Sequence, residues 1–419
     1  MIDKKFSKYK KILLLGAAGI GMSSLAVHLK NLNIDIFAYD DKPNKRFFNL
    51  KNYGIKIQEI TKTNEFDLII RSLAINENHK LLKNYKGKCI TYPEAVGKLT
   101  QNYKLTAISG THGKTTTTAM VCKILKDNNV NFNALIGSGL IEEGDKNFII
   151  EKNSDIFVIE ACEYQDGFLN YNPETLAITN LEHEHFDAYA TEEDYLKSFQ
   201  ELIYKTKTNL ILNKNCKLSK KLIIPQNLKV SYFDYKIPIE LKLDIKHNNL
   251  NGNCAIEVSK TIEKVINCEK SLNEFKGTKR RQEIIYDKGI TIIDDYAHHP
   301  TEIESTLESI EKNHKNKNII LFYQPHQLDR TEKLFNKFAS SLNRNYEVII
   351  PNIYKARDEQ NKDSDEIGKK LAKELKNGSY VGSLEETKKQ FDKIIESKDL
   401  IIIMGAGDIL KILPDKYKS

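Results

Sequence analysis

The sequence predicts an α/β protein carrying parallel sheets, and three occurrences of one local pattern predict it. Short apolar strands at Lys11–Leu15, Leu105–Ser109 and Gly289–Asp294 each run into a turn rich in glycine or polar residues, and each turn leads into a helix. Between these points, apolar runs alternate with polar helical stretches. That is the rhythm of βαβ units, whose strands lie parallel. A chain of 419 residues is also too long for one ordinary domain.

In the first block, the strand Lys11–Leu15 enters the turn Gly16 to Gly21, and a helix is expected from about Met22 to Leu32. A second strand, Asp35–Tyr39, ends at Asp40-Asp41, and further strands are expected at Phe66–Ile70 and Cys89–Ile90. The second block opens with Leu105–Ser109, the turn Gly110 to Lys114 and a helix to about Asp127. Strands at Ile156–Glu160, Thr175–Thr179 and Asn209–Leu212 follow. Lys214–Ile245 is weakly patterned with short strands, and Asn248–Val265 reads as a helix. The third block has strands at Gly289–Asp294, Asn318–Phe322, Tyr346–Pro351 and Leu400–Met404, with helices at Thr301–Lys312 and Thr331–Asn343. Domains are expected over 1–102, 103–284 and 285–419.

Composition narrows the function classes. Hydrophobic residues at 40% and charged residues at 29% fit a soluble globular chain. The net charge of +7 comes from lysines spread along the sequence rather than gathered in a stripe, which argues against nucleic-acid binding. The six cysteines, at 89, 122, 162, 216, 254 and 268, show no CxxC spacing and read as free thiols of a reducing compartment. Lys4, Lys5, Lys8, Lys10 and Lys11 before Ile12–Leu15 imitate a signal peptide. The apolar stretch soon meets His28 and Lys30, short of the roughly 20 residues of a membrane span. A buried strand feeding a helix explains it, and a cytoplasmic protein without membrane contact is expected.

The strongest chemical signal is Gly110-Thr111-His112-Gly113-Lys114-Thr115, where a strand becomes a Thr-rich helix. Backbone N–H groups at such a turn face an anion, and the helix N-terminus adds a positive dipole end. Lys114 would reach the β- and γ-phosphates, with the hydroxyl of Thr115 or Thr116 beside Mg²⁺. The general phosphate-loop pattern wants glycine where Ile108 stands, so a shorter relative of it fits. The first turn, Gly16-Ala17-Ala18-Gly19-Ile20-Gly21, approaches GxGxxG, with Asp40 or Asp41 placed as a ribose-binding acid. It points to a pyrophosphate-bearing ligand without saying which.

Acids and histidines then gather at strand ends, where ligands of open α/β sheets bind. Glu160 and Glu163 follow one strand, and Glu182-His183-Glu184-His185-Phe186-Asp187 follows another. Zinc on His183, His185 and Asp187 lacks a thiol pair or HExxH helix, and Mg²⁺ shared with phosphate oxygens suits the neighbouring loop better. Lys279-Arg280-Arg281 and the turn Asp294-Asp295-Tyr296-Ala297-His298-His299-Pro300 complete the set.

Together these motifs, with Gly19-Ile20-Gly21-Met22-Ser23, Glu160-Ala161-Cys162-Glu163-Tyr164, Gln324-Pro325-His326 and Gly405-Ala406-Gly407-Asp408, resemble the Mur ligases over essentially the whole chain. The resemblance is strongest to the family's alanine-adding branch. It implies three domains: an N-terminal Rossmann-like domain for a UDP-sugar, a central P-loop-type α/β domain for ATP, and a C-terminal Rossmann-like ligase domain. The implied reaction is ATP-dependent ligation of L-alanine to the carboxylate of UDP-N-acetylmuramic acid through an acyl phosphate, in peptidoglycan synthesis. A murein tripeptide ligase of cell-wall recycling is the alternative.

The resemblance also implies site residues. Gly110, Thr111, His112, Gly113, Lys114, Thr115 and Thr116 would bind ATP, with Asn248 and Asn251 near the adenine and Arg281 and Asp295 at the nucleotide. Thr115, Glu160 and His185 would hold Mg²⁺. Gly16, Gly19, Ile20, Gly21, Met22, Asp40, Ser72 and His298 would contact the UDP-sugar substrate, and His326 and Arg330 the muramic acid carboxylate or the amino acid. Lys114, His185, Arg281, His326 and Arg330 form the implied catalytic set, in a monomer or weak dimer. Departures from the family pattern are Ala18 for a glycine, Glu184 for Asp and Gln327 for Arg. Gln200 and Glu201 occupy the region where other branches carry a modified lysine, a lysine the alanine-adding branch also lacks.

Overall fold

The structure, a computed structural model, describes residues 5–57, 60, 63, 65–235, 246–263, 265–355 and 364–417. Three sheets form, as the alternating pattern predicts. The first contains β1 (Lys11–Leu15), β2 (Asp35–Tyr39), β3 (Lys56–Ile57), β4 (Leu68–Arg71) and β5 (Lys88–Thr91), all parallel in the order β3-β2-β1-β4-β5. This is the Rossmann order, which reverses direction beside β1 and leaves a crevice past the strand ends there. The turn Gly16–Gly21 and Ser72 both lie at that point.

The second sheet contains β6 (Lys104–Ser109), β7 (Asn133–Leu140), β8 (Lys146–Ile149), β9 (Ile156–Glu160), β10 (Thr175–Ile178), β11 (Asn209–Asn213) and β12 (Lys229–Phe233). Its order is β12-β11-β10-β6-β9-β7-β8, parallel except for the antiparallel pair β7–β8. The third contains β13 (Glu283–Asp287), β14 (Thr291–Asp295), β15 (Ile319–Tyr323), β16 (Glu347–Pro351), β17 (Gly378–Gly382) and β18 (Leu400–Met404). Its order is β13-β14-β18-β15-β16-β17, with β13 antiparallel.

Continuous apolar strands in the sequence mean burial on both faces. In β18, Ile401 and Ile403 enter one core while Leu400, Ile402 and Met404 enter the other, because successive side chains alternate across a sheet. The chain divides into two compact units, 1–239 with 250–275, and 240–249 with 276–419. In the first unit, one apolar core runs from β1 and β4 of the first sheet to β6, β9 and β10 of the second, so the two sheets share their packing. Among the described residues no helix is long and apolar enough to cross a membrane.

Four elements differ from expectation. The hairpin β7–β8 was not expected. Its connection, residues 141–145, is a short 3-10 turn ending on Gly144 and Asp145, both at positive φ, 61° and 67°. The expected boundary at 284 falls inside β13. The helix expected over 331–343 is two helices, Leu328–Lys333 and Phe335–Leu342, meeting at Leu334, whose φ of −107° and ψ of 18° leave the helical range. The helix expected over 248–265 is Lys246–Ile262. Of the weakly patterned stretch 214–245, residues 236–245 lie outside the described residues.

Candidate active site

The first turn is held from behind. Gly16 has φ +82°, and a Cβ there would stand 2.8 Å from Ser72 Cβ, so glycine lets β1 and β4 approach at the switch point. Gly16 and Ala17 donate their N–H groups to Tyr39 O, and Gly19 N–H closes the turn on Gly16 O. Gly19 then caps the helix Ile20–Lys30, which has no acid in its first turn.

Two residues expected to contact substrate also serve the turn or the core. Asp40 accepts the Ala18 N–H at 2.8 Å and the Lys42 N–H at 2.8 Å, so its carboxylate shapes the turn. Met22 buries its side chain in the shared core, leaving its backbone for a ligand. Ile20 and Gly21 open the helix, and Ser72 accepts the Ala74 N–H at 3.3 Å.

The second turn presents a cation. Gly113 has φ +81° and caps the helix Lys114–Asp127; a Cβ there would collide with Asn251 Oδ1, so the Asn251 carboxamide packs directly on the loop. Thr111 donates to Glu182 O at 2.9 Å and receives the Glu182 N–H at 2.8 Å, which ties the loop to the segment after β10. His112 donates its N–H to Asn180 Oδ1 at 2.8 Å, and its ring lies 3.3 Å from Glu182. Thr115 and Thr116 begin the helix, both buried. Asn248 lies on the helix Lys246–Ile262, one turn before Asn251.

Lys114 Nζ donates to Gly110 O at 2.5 Å and Thr111 O at 2.9 Å, and pairs with Glu163 at 3.1 and 3.2 Å. Burial draws the ammonium pKa down, but Glu163, with Glu160 and Glu184 nearby, more than reverses this and keeps Lys114 charged. Glu163 is fully buried, which by itself raises a carboxyl pKa. Lys114 and His185 outweigh that and hold it below the ordinary carboxylate range.

Thr115, Glu160 and His185 are the expected cation ligands, and a second grouping of possible ligand atoms lies beside them. Among the described residues of this unit, Glu163, Glu184 and His185 place their ligand atoms within 4.8 Å of one another. Glu160 is outside that group, its Oε2 accepting the Gly137 N–H at 3.0 Å. His185 adopts φ +56°, stands 3.3 Å from Glu163 and keeps Nδ1 buried without a hydrogen-bond partner. Two carboxylates supply hard oxygen donors that suit Mg²⁺ completed by water or phosphate oxygens, with the His185 imidazole a borderline donor beside them. The glycine cradle at 110–113, with its ammonium, fits a polyphosphate.

In the second unit the turn after β14 is organised by Asp295. Its two oxygens accept the Gln282 N–H at 2.8 Å and the Ala297 N–H at 2.7 Å. Asp295, expected at the nucleotide, is buried and braces its own loop. Burial pushes its pKa up to about 6, against the pull of Arg281. Arg280 and Arg281 lie over the Tyr296 ring at 5.0 and 5.4 Å. Glu302 links Arg281, at 3.6 Å, to His298, at 3.4 Å.

The His326 ring stacks on Tyr354 with 12° between planes and lies edge-on to His298 at 6.0 Å. Arg330, 4% exposed, sets Nη1 3.4 Å from His326 Nδ1. Thus the structure brings His298, His326 and Arg330 together, joined by Tyr354 and Glu302. A tyrosine just past the end of β16 was the available sign.

Residues 108–272 match the Mur ligase middle domain and residues 280–407 match the Mur ligase, glutamate ligase domain. The UDP-N-acetylmuramate–L-alanine ligase of Desulfitobacterium hafniense (strain Y51) is 32% identical, over 95% of this chain and 97% of that protein. The ligase of the same name from Borreliella burgdorferi is 30% identical, over 96% and 97%. These matches span 445 and 460 residues against the 419 of this chain, so the relatives carry residues that it lacks. Among solved structures, the UDP-N-acetylmuramate-alanine ligase MurC of Thermotoga maritima has the same fold, with a TM-score of 0.79, 24% identity, and 96% and 97% of the two chains covered. A murein peptide ligase of Psychrobacter arcticus gives a TM-score of 0.73 at 20% identity, over 96% and 97%.

Proposed function

The chain belongs to the Mur ligase family, and we propose that it joins L-alanine to the carboxylate of UDP-N-acetylmuramic acid in an ATP-dependent reaction of peptidoglycan synthesis. The observation that carries this reading is Lys114, charged and buried at the glycine turn beside Glu163, Glu184 and His185. When bound, ATP would supply the phosphoryl group that activates the carboxylate, and Glu163, Glu184 and His185 would hold a Mg²⁺ that neutralises phosphate charge.

The protein's own part is electrostatic and positional. Lys114 brings a fixed positive charge to the place where negative charge accumulates. Glu163 keeps it oriented. The first turn would receive the diphosphate of the UDP-sugar on backbone N–H groups, with Gly16, Gly19, Ile20, Gly21, the Met22 backbone and Ser72 around it and Asp40 bracing it. Thr115 and Glu160 are kept as further cation-side groups, and Asn248 and Asn251 as nucleotide-side groups. In the second unit, Arg281 would reach the ATP phosphates, His298, His326 and Arg330 would contact substrate, and Asp295 would sit at the nucleotide from the turn it braces.

Three functional segments, 1–102, 103–284 and 285–419, would carry the UDP-sugar, ATP and ligase roles. A cytoplasmic monomer or weak dimer, without nucleic-acid or membrane partners, accords with the dispersed charge. The test is phosphate release from ATP and Mg²⁺ with UDP-N-acetylmuramic acid, with and without L-alanine. Release that requires both substrates is expected. Release with a murein tripeptide and not with L-alanine would move the chain to cell-wall recycling, and no release with either would overturn the reading.

A further inference from the structure

The first and second sheets of unit 1 are joined by more than apolar packing. Asn147, 5% exposed on β8, points its amide nitrogen between two carbonyls. One N–H goes to Ile20 O at the start of the helix leaving the first turn, and the other to Ile136 O on β7, both at 3.1 Å. The residue after Ile136 is Gly137, whose N–H holds the Glu160 carboxylate at 3.0 Å. Glu160 in turn contributes to the field at Lys114. A short bonded route therefore runs from the mouth of the first turn, through one side chain, to the acid beside the second.

The same helix is fastened a second time. His28 sets Nε2 3.1 Å from Ala134 O, also on β7, with its ring 5.2 Å from Phe157 and 6.3 Å from Phe148. Two side-chain bonds, one from Asn147 of β8 and one to Ala134 of β7, fix both the rotation of the helix and its position along the β7–β8 hairpin. A planar amide giving both protons to carbonyls of different elements has little freedom to shift without losing one bond, and an unmet buried acceptor costs on the order of 1–3 kcal/mol.

We propose that Asn147 is a positioning residue of the ligase reaction, setting the separation between the turn that holds the UDP-sugar and the turn that holds the ATP phosphates. This rests on the function proposed above. Holding two reactants at a fixed separation converts into rate, and a misplacement of about 1 Å can cost roughly 100-fold. Removing the bridge should therefore lower turnover while each substrate still binds alone.

The experiment uses the full chain as wild type, Asn147→Ala and Asn147→Ser. Calorimetric titration with UDP-N-acetylmuramic acid and, separately, with a non-hydrolysable ATP analogue gives affinities and site counts. Turnover is then expressed per titrated site, so an unfolded fraction drops out. The expected result is a fall in kcat per site of about 10-fold or more, with both single-substrate affinities within about 2-fold of wild type. Wild-type kcat per site in either variant would overturn the proposal. So would a loss confined to the affinity for one substrate, which would make Asn147 part of that substrate's own site. A wild-type chain that neither binds the UDP-sugar nor releases phosphate would instead overturn the functional reading.

Discussion

The two glycine turns of unit 1 occupy equivalent places, each between the end of a parallel strand and a helix N-terminus, yet they manage charge in opposite ways. At the first, the nearest ionised group is an acid, Asp40, and it is spent on the loop's own backbone at Ala18. At the second, the loop carries a buried ammonium, Lys114, countered by the buried Glu163. One turn offers shape and helix dipole; the other adds a full charge that its surroundings keep protonated. The lesson is that similar backbone cradles divide the work, position on one side and charge stabilisation on the other.

Four changes would break or sharpen that contrast. The largest effect is expected from Lys114→Ala, which should lower turnover by about 10³-fold, since a fixed charge at the transferring phosphoryl group is lost. UDP-sugar binding, measured by calorimetry, should be unchanged; near-normal turnover would end the comparison. Glu163→Gln keeps the shape but removes the anion facing Lys114 and one ligand of the cation group. Turnover should fall by roughly 100-fold and phosphate release should need more Mg²⁺, read from a Mg²⁺ titration.

Asp40→Ala tests the other turn. It strips a charge-assisted bond of about 1.5–3 kcal/mol from the Ala18 N–H, so KM for the UDP-sugar should rise roughly 10-fold. KM for ATP should stay constant; if it rises equally, the turns are not separable.

The smallest effect concerns the helix behind the first turn. Burial pushes the His28 pKa from 6.5 down to about 4. The unfolded chain therefore takes up the proton first: the stabilisation is complete above pH 6.5 and is lost progressively as pH falls toward 4. By pH 5.5 the loss should reach about 1 kcal/mol, visible in urea unfolding curves. His28→Gln should flatten that part of the profile, and an unchanged slope would remove His28 as its source.

Much of this site was legible because it is local. The strand–turn–helix junctions put Gly113 and Lys114 at the start of a helix, as the pattern predicts, and His298, His326 and Arg330 come together in the second unit. The choice among acids was not legible. Glu160 and Glu163 follow the same strand, and nothing in their spacing says which faces Lys114. That depends on the loop after β9, where Gln165 and Asp166 take positive φ of 50° and 56°. Asp166 there receives hydrogen bonds from the hydroxyls of Tyr189 and Ser198. Similarly, Asp40 and Asp295 looked like ligand-facing acids, and only the packed turns show their oxygens occupied by backbone N–H groups.

By itself, then, the sequence determined the α/β class, the strand ends that carry chemistry and the family, because these follow from short-range periodicity and contiguous motifs. Tertiary structure alone decided that Lys114 pairs with an acid 49 positions away. It also decided that Glu184 joins the cation group, and that Asn147 reaches a helix start 127 positions distant. Such pairings are set by strand order and by left-handed loop residues, and their energies depend on burial, which no stretch of sequence contains on its own.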